Sequence, residues 1–196
     1  MKPVAEACLR NQQPIAEVLS DILANAKAVL ELGSGTGQHG VYLAKCFRHL
    51  KWQLSDLADC IPGMKLWWQE ASLDNLCEPI ELDVTCDDWA TRRDYDAVFT
   101  ANTIHFVTLA VAEALLRGAA KTLQKGGLLC IYGPFNENGC YTGDGNRQFD
   151  QWLKAIDPEI GIKDIEWVED VLRQCGMVLV SRRQMPANNL MLVFQH

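Results

Sequence analysis

The sequence lacks the features that place a protein in a membrane or outside the cell. Its 196 residues contain no apolar run long enough to span a bilayer, and the first residues lack the apolar core of a signal peptide. The 8 cysteines include no C-x-x-C pair, so we predict no metal site and no redox motif, and expect free thiols mostly in the core. We therefore expect a cytoplasmic protein with no membrane partner.

Basic residues are also scarce, and none occurs in a run longer than a pair. There are 18 Lys and Arg against 25 Asp and Glu, which gives a formal net charge of −7 at pH 7. Nucleic-acid-binding proteins usually carry a basic stripe, so we expect no nucleic-acid partner. The apolar fraction of 48% is typical of a globular protein, and the length predicts a single domain over residues 1–196.

Strands and helices alternate along most of the chain. Strands are predicted at residues 28–32, which are apolar throughout, and at 52–56, 79–84, 96–100 and 128–132, and helical spacing predicts helices at 14–25, near 41–47 and 64–68, and at 109–123. Two final strands, 177–182 and 190–194, follow a helix at 166–175 and are too close for a crossover, so they pair antiparallel. The pattern predicts an α/β fold with a doubly wound seven-stranded sheet, mostly parallel with an antiparallel C-terminal hairpin.

A glycine-rich turn follows the first strand. It consists of Gly33, Ser34, Gly35, Thr36 and Gly37. Such a turn lets a ligand approach the backbone beside a helix N-terminus. Glu31, two residues before the first glycine, would repel a pyrophosphate but suits a cationic ligand such as S-adenosylmethionine (SAM), which carries a sulfonium and an ammonium group. The third glycine also comes one position too early for the dinucleotide pattern.

Acidic and polar residues follow the next strands, at the edge where open α/β sheets bind ligands. Asp56 lies 19 residues after Gly37, near the offset of a ribose-binding carboxylate. We predict that Glu31 and the glycine turn hold the methionine end of SAM, Asp56 the ribose and Asp83 the adenine amine. Val84 and Asn102 complete the predicted cofactor site.

His105 is the candidate general base, because its unperturbed pKa is about 6.5; the alternative is a core or capping histidine. A long polar segment, 133–162, follows the fifth strand, with a short helix around 149–156. We expect residues 134–146 and the N-terminal segment before the first helix to form a lid over the methyl group. The predicted acceptor contacts are Asn11, Tyr132, Asn136, Asn138 and Tyr141, and ordinary turn chemistry is the alternative for Asn136, Asn138 and Tyr141.

The order of Glu31, the three glycines, Asp56, Asp83 and Asn102 resembles the class I SAM-dependent methyltransferases. A closer resemblance, over nearly the whole chain, is to the methyltransferase-like 26 family and its bacterial relatives. It is carried by residues 10–11, 14–15, 35–39, 55–56, 101–105, 132–136, 157–158, 161–164 and 185–189. The resemblance implies strand order 3-2-1-4-5-7-6 with strand seven reversed, and implies no particular substrate.

We therefore expect methyl transfer from SAM to a small-molecule acceptor. One alternative is a non-catalytic module that binds SAM or a partner on the same fold. A less expected alternative is an NAD-dependent oxidoreductase, which Glu31 and the glycine spacing disfavour.

Overall fold

The computed structural model describes residues 2–86, 88–90 and 94–196. Six α-helices are present in this part of the chain: α1 (Glu6–Ile22), α2 (Gln38–Cys46), α3 (Ile61–Ala71), α4 (Leu109–Thr122), α5 (Asp144–Ile156) and α6 (Ile165–Gln174). The strands are β1 (Ala28–Leu32), β2 (Lys51–Asp56), β3 (Leu76–Glu81), β4 (Tyr95–Ala101), β5 (Leu123–Gly133), β6 (Asn136–Glu137), β7 (Cys140–Tyr141), β8 (Val178–Met185) and β9 (Asn189–Gln195).

Seven strands form the main sheet in the order β3-β2-β1-β4-β5-β9-β8. Strands β1 to β5 pair in parallel, whereas β9 is antiparallel to both β5 and β8. This confirms the doubly wound sheet with its C-terminal hairpin, and its order is the one that the resemblance implied.

Helices cover both faces of the sheet. Alternate residues of each strand point to opposite faces, so they pack under different helices. In β4, Val98 packs in the core under α4 and α6, while Ala97 and Phe99 pack in the core under α1, α2 and α3. Helix α5 lies apart, and Leu153 forms a small third cluster with residues after the helix. Among the described residues, no helix is both long and apolar enough to cross a bilayer.

The first helix begins earlier than predicted. It starts at Glu6 and continues through Pro14, so Arg10 and Asn11 lie inside α1 and not in a segment before it. The buried positions Asn11, Ile15 and Leu19 recur every four residues, so packing of this face outweighs the cost of an interior proline.

Strand β3 ends before the predicted boundary, so Asp83 follows it by two residues. Pro79 lies inside β3, where its missing N–H is tolerated because β3 is an edge strand. The hairpin of β6 and β7 was not predicted, although its turn residues Asn138 and Gly139 both have positive φ and form the Asn-Gly signal of a tight hairpin. The expectation of mostly buried cysteines is also wrong, since only Cys130 of the 8 is buried.

Candidate active site

The glycine turn opens toward solvent at its centre. Gly33, Gly35 and Gly37 have φ values of 67°, 56° and 84°, in the region that favours glycine. A Cβ on Gly33 would lie 2.6 Å from the side chain of Thr103, so this end of the turn packs against the loop after β4. A Cβ on Gly35 would meet no heavy atom within 4 Å. The backbone at Gly35 is therefore accessible to a ligand.

Hydrogen bonds between Ser34 and Ser55 link the turn to strand β2. The Ser34 amide donates to the carbonyl of Ser55 at 3.0 Å, and the Ser55 amide donates to Ser34 Oγ at 3.1 Å. Ser55 Oγ donates to the carbonyl of Glu31 at 2.7 Å. Thr36 Oγ1 donates to Gln38 Oε1 at 3.0 Å, within the first turn of α2. These bonds fix the turn without using a ligand.

Asp56 joins the ends of β1 and β2. Its Oδ2 accepts the Gly35 amide at 2.7 Å, and its Oδ1 accepts the Leu57 amide at 2.8 Å. A carboxylate has about four acceptor positions, so about two remain for further donors. Asp83 uses Oδ1 for the amide and hydroxyl of Thr85, at 2.9 and 2.7 Å, and these bonds lower the pKa of its carboxyl.

Glu31 lies beneath the turn and not on its surface. Its side chain is only 2% exposed, and Oε2 accepts the indole N–H of Trp52 at 2.6 Å. Burial raises the pKa of Glu31 to about 8, the Trp52 bond opposes this shift, and the Asp56 carboxylate adds to it. A positive charge above the turn would favour the ionised form of this group.

A cavity of about 810 Å³ lies at the carboxyl ends of β4 and β5. Four of the predicted site residues line it: Asn11, Asn102, His105 and Tyr132. The glycine turn, Asp56 and Asp83 do not line it. Of the residues predicted to bind the cofactor, Asn102 is the one that lies in the cavity wall. Asn102 has a φ of 55°, and its amide donates to the Tyr132 carbonyl at 2.9 Å, which fixes it there.

His105 is buried in the wall of this cavity, beside the rings of Phe106 and Phe149 at 4.6 and 5.2 Å between centroids. Its Nδ1 has no hydrogen-bond partner in the described part of the chain. Burial, together with the charge of Lys163, lowers the pKa of His105 to about 3. Lys163 Nζ is held by the carbonyls of Val107 and Gly161, at 2.7 and 2.9 Å. The imidazole is therefore neutral at neutral pH.

A polar chain anchors α1 over the sheet. His39 Nε2 lies 2.6 Å from Asn11 Oδ1, and Cys8 Sγ lies 3.5 Å from His39 Nδ1. Because the Asn11 oxygen only accepts, the His39 proton is on Nε2 and the thiol donates to Nδ1. Asn11 also bonds the Tyr132 side chain, and burial lowers the pKa of His39 to about 4. Both Asn11 and Tyr132 are thereby fixed in the cavity wall.

The other three predicted acceptor residues do not line the cavity. The Asn136 amide donates to the carbonyl of Lys163 at 3.0 Å, and the Asn138 amide to Glu166 Oε2 at 3.0 Å. The Tyr141 hydroxyl donates to the buried Asp150 at 2.7 Å. Their observed contacts hold the segment around β6 and β7, and a contact with the acceptor stays a prediction.

Sequence reasoning did not assign several cavity residues to the site. Trp152 was not among the predicted site residues, yet it is 52% exposed and lines the cavity. The spacing of Asn146, Phe149 and Trp152 along α5 was the available signal, since it places them on one helical face. Arg10, Pro134, Gly145 and Asn146 belong to the segments predicted to form the lid, and the remaining lining residues are Ala7, Phe106 and residues 186–189.

Solved structures of methyltransferases share this fold. An O-methyltransferase family protein from Burkholderia thailandensis matches with a TM-score of 0.85 at 20% identity, over 97% of this chain and 57% of that one. The SAM-dependent methyltransferase SibL matches at 0.74 and 20%, over 94% and 55%. Human N-acetylserotonin methyltransferase, solved in complex with SAM, matches at 0.79 and 14%, over 97% and 52%. The chain thus spans just over half the length of these proteins.

The sheet therefore has the fold of the class I SAM-dependent methyltransferases. Within it, the chain belongs to the family described as "Protein of unknown function (DUF938)", whose model matches residues 2–196.

Proposed function

We propose that this protein transfers a methyl group from SAM to a small-molecule acceptor. The observation that carries the proposal is the loop after β4, whose Thr103 packs against Gly33 of the glycine turn while Asn102 and His105 line a cavity of about 810 Å³. The SAM-binding proteins among the solved structures support the cofactor at the level of the fold.

The residues present fit SAM. The open backbone at Gly35 gives a close approach, and Asp56 keeps acceptor positions for ribose hydroxyls. Asp83 Oδ2, which carries neither of the Thr85 bonds, is available for the adenine amine. Glu31 supplies negative charge beneath the methionine end once a cation lies above it.

SAM supplies an electrophilic methyl group, and the protein's contribution is alignment and exclusion of water. With SAM bound, the acceptor oxygen would bond to the methyl carbon, S-adenosylhomocysteine would be the leaving group, and the acceptor's proton would pass to solvent. One of the similar solved structures is an O-methyltransferase family protein, which supports an oxygen acceptor here. His105, with a pKa near 3, is a weak base, so we assign it to accept a hydrogen bond from the acceptor hydroxyl. Such a site favours an acceptor whose hydroxyl is itself acidic.

We further propose that the chain's near relatives are the methyltransferase-like 26 proteins, on the strength of residues 35–39 and 185–189, and that it acts in the cytoplasm without nucleic acid. The non-catalytic alternative predicts SAM binding without turnover. Incubation of the protein and methyl-labelled SAM with a small-molecule extract separates the two. Label in a small-molecule product supports the enzyme, and binding without any transfer supports the module.

Cofactor binding is tested with two glycine variants. Gly35 and Gly126 both have positive φ, and a Cβ on either meets nothing within 4 Å, but Gly126 lies near the start of β5, at the opposite edge of the sheet from the glycine turn. Both alanine variants should lose a similar ~1 kcal/mol of stability from the strained backbone. Only Gly35→Ala should weaken binding of S-adenosylhomocysteine (SAH), measured by calorimetry. Equal affinity in both variants would contradict the proposed position of the cofactor.

The same proteins test cofactor identity. SAM and SAH should stabilise the wild type by about 2.7 kcal/mol at 100 times Kd, and NAD should not. Stabilisation by NAD alone would favour the oxidoreductase.

A further inference from the structure

We propose that the acceptor is a planar aromatic molecule carrying an acidic group, with its ring against Phe149 and Trp152 and its anion at Arg10. The inference deepens the proposed function, and it rests on the assignment of the cavity to the acceptor. It is drawn from the shape of the cavity wall and from the charges that line it.

The wall formed by α5 and the loop after β4 is aromatic. Phe149 and Trp152 are stacked, with centroids 5.8 Å apart and planes inclined by 16°. Phe106 meets both rings edge-on, at 6.1 and 6.4 Å. These rings are held against one another, so they offer a preformed surface for a further ring.

That surface is left uncovered at the cavity mouth. Phe106 is 46% exposed and Trp152 is 52% exposed, although both are large apolar side chains. Their position in the lining of a cavity indicates a ligand surface, since isolated apolar residues elsewhere on a protein need no such explanation. A volume of about 810 Å³ accommodates a two-ring molecule beside the methyl group.

The charge of the lining is opposite to that of the protein. Among the described residues that line the cavity, Arg10 is the single Lys or Arg, and there is no Asp or Glu. The chain as a whole has a net charge of −7. Arg10 is exposed, and it forms no ion pair with any described residue. A guanidinium without a partner at the rim of an aromatic cavity selects a carboxylate or a similar anion.

Apart from Arg10, His105 and Tyr132, the polar lining is made of carboxamides, which hydrogen-bond without selecting charge: Asn11, Asn102, Asn146, Asn188 and Asn189. His105 lies in the wall beside Phe149, at the end of the cavity near Asn102. An aromatic acid with its ring on Trp152 and its anion at Arg10 thereby directs a phenolic hydroxyl toward His105. A phenol is also acidic enough to need no strong base.

Three matched probes test the inference by calorimetry, with and without saturating SAH: a hydroxynaphthoate, the uncharged hydroxynaphthamide, and the saturated hydroxydecalin carboxylate. The naphthoate should bind about tenfold or more tightly than either of the others, because each lacks one of the two interactions. Arg10→Gln should abolish the preference for the acid, and Trp152→Ala the preference for the aromatic ring.

The controls make the same chemical changes outside the cavity. Arg183→Gln removes an exposed arginine from β8, and Ile156→Ala removes an exposed apolar side chain one turn beyond Trp152. Both should bind the probes like the wild type. Equal binding of all three probes would overturn the inference. So would loss of SAH affinity in Arg10→Gln with the probe preference unchanged, because Arg10 would then serve the cofactor.

Failure of the wild type to bind SAH would instead contradict the proposed function. The titrations made without SAH would still decide the acceptor class.

Discussion

The carboxylate of Asp56, at the end of β2, accepts the backbone amide of Gly35, at the centre of the turn after β1. A residue expected to serve only the ribose therefore also fixes the conformation of the turn. Removal of the side chain loses a hydrogen bond to a charged group, so Asp56→Ala should cost about 1.5–3 kcal/mol of stability in the absence of any ligand. An unchanged midpoint of chemical unfolding would contradict this structural contribution.

Asp56→Asn separates the two contributions. The amide oxygen still accepts one backbone N–H, so stability should fall less than in Asp56→Ala, while the loss of charge should weaken SAH binding about tenfold. Asp59→Asn, three residues further along the chain, is the control of equal charge. If Asp56→Asn binds SAH with wild-type affinity while Asp59→Asn does not, the ribose is not held by Asp56.

The pKa of Glu31 makes the stability of the protein depend on pH. Burial raises it from 4.5 to about 8, so between these values the folded state holds a proton that the unfolded state has lost. The free energy of unfolding attributable to Glu31 therefore falls as pH rises from 4.5 to 8. Glu31→Gln removes this dependence, so its stability relative to the wild type should increase with pH over that interval. The exposed Glu81→Gln should show no such trend in urea unfolding.

Cofactor binding should show the complementary effect. If a cation binds above Glu31, the carboxyl group of Glu31 releases its proton on binding. SAH affinity should then rise with pH, by up to about tenfold per pH unit, as the pH increases toward about 8. Glu31→Gln should then weaken binding little near neutral pH and strongly above about pH 8. Calorimetry in buffers of different ionisation enthalpy measures the released proton directly. If the wild type binds SAH with an affinity that does not depend on pH, Glu31 does not take part in cofactor binding.

Two histidines should remain neutral in mildly acidic solution. Burial lowers the pKa of His39 to about 4 and that of His105 to about 3. Their stability contribution is therefore present above the unfolded pKa of 6.5 and is lost as pH falls toward these values. Ring-nitrogen NMR, assigned with His39→Asn and His105→Asn, should show neither ring titrating between about pH 5 and 8. A titration of His105 near pH 6.5 would restore it as a strong general base.

The doubly wound sheet was predictable because strands alternate with helices along most of the chain, whereas the strand order came from the resemblance. The cofactor edge was predictable because ligands bind at the carboxyl ends of parallel strands, and the ends of β1 and β2 bring Gly35 and Asp56 together. The cavity was not. Arg10 reaches it because α1 continues through Pro14, and Trp152 reaches it because α5 packs by its own small cluster around Leu153. Both depend on tertiary packing, which outweighs local propensity.

Thr142 connects the segment after β5 to the C-terminal hairpin. Its hydroxyl donates to the Phe135 carbonyl at 3.2 Å and accepts the side-chain amides of Asn146 at 3.0 Å and Asn188 at 2.9 Å. Since Asn146 and Asn188 line the cavity, this hydroxyl couples the expected lid, residues 134–146, to the cavity wall.

Thr142→Val keeps the shape of the side chain and removes all three bonds, so residues 134–146 should exchange their amide hydrogens faster, and gain less protection when SAH binds. Ser20→Ala, which removes a hydroxyl hydrogen bond to the Glu17 carbonyl on the exposed side of α1, is a control that should leave this segment unchanged. In the wild type, SAH should protect both residues 134–146 and the part of α1 around Arg10, because a lid closes over the methyl group from both sides. Protection confined to residues 31–40 would show that the segment after β5 does not close.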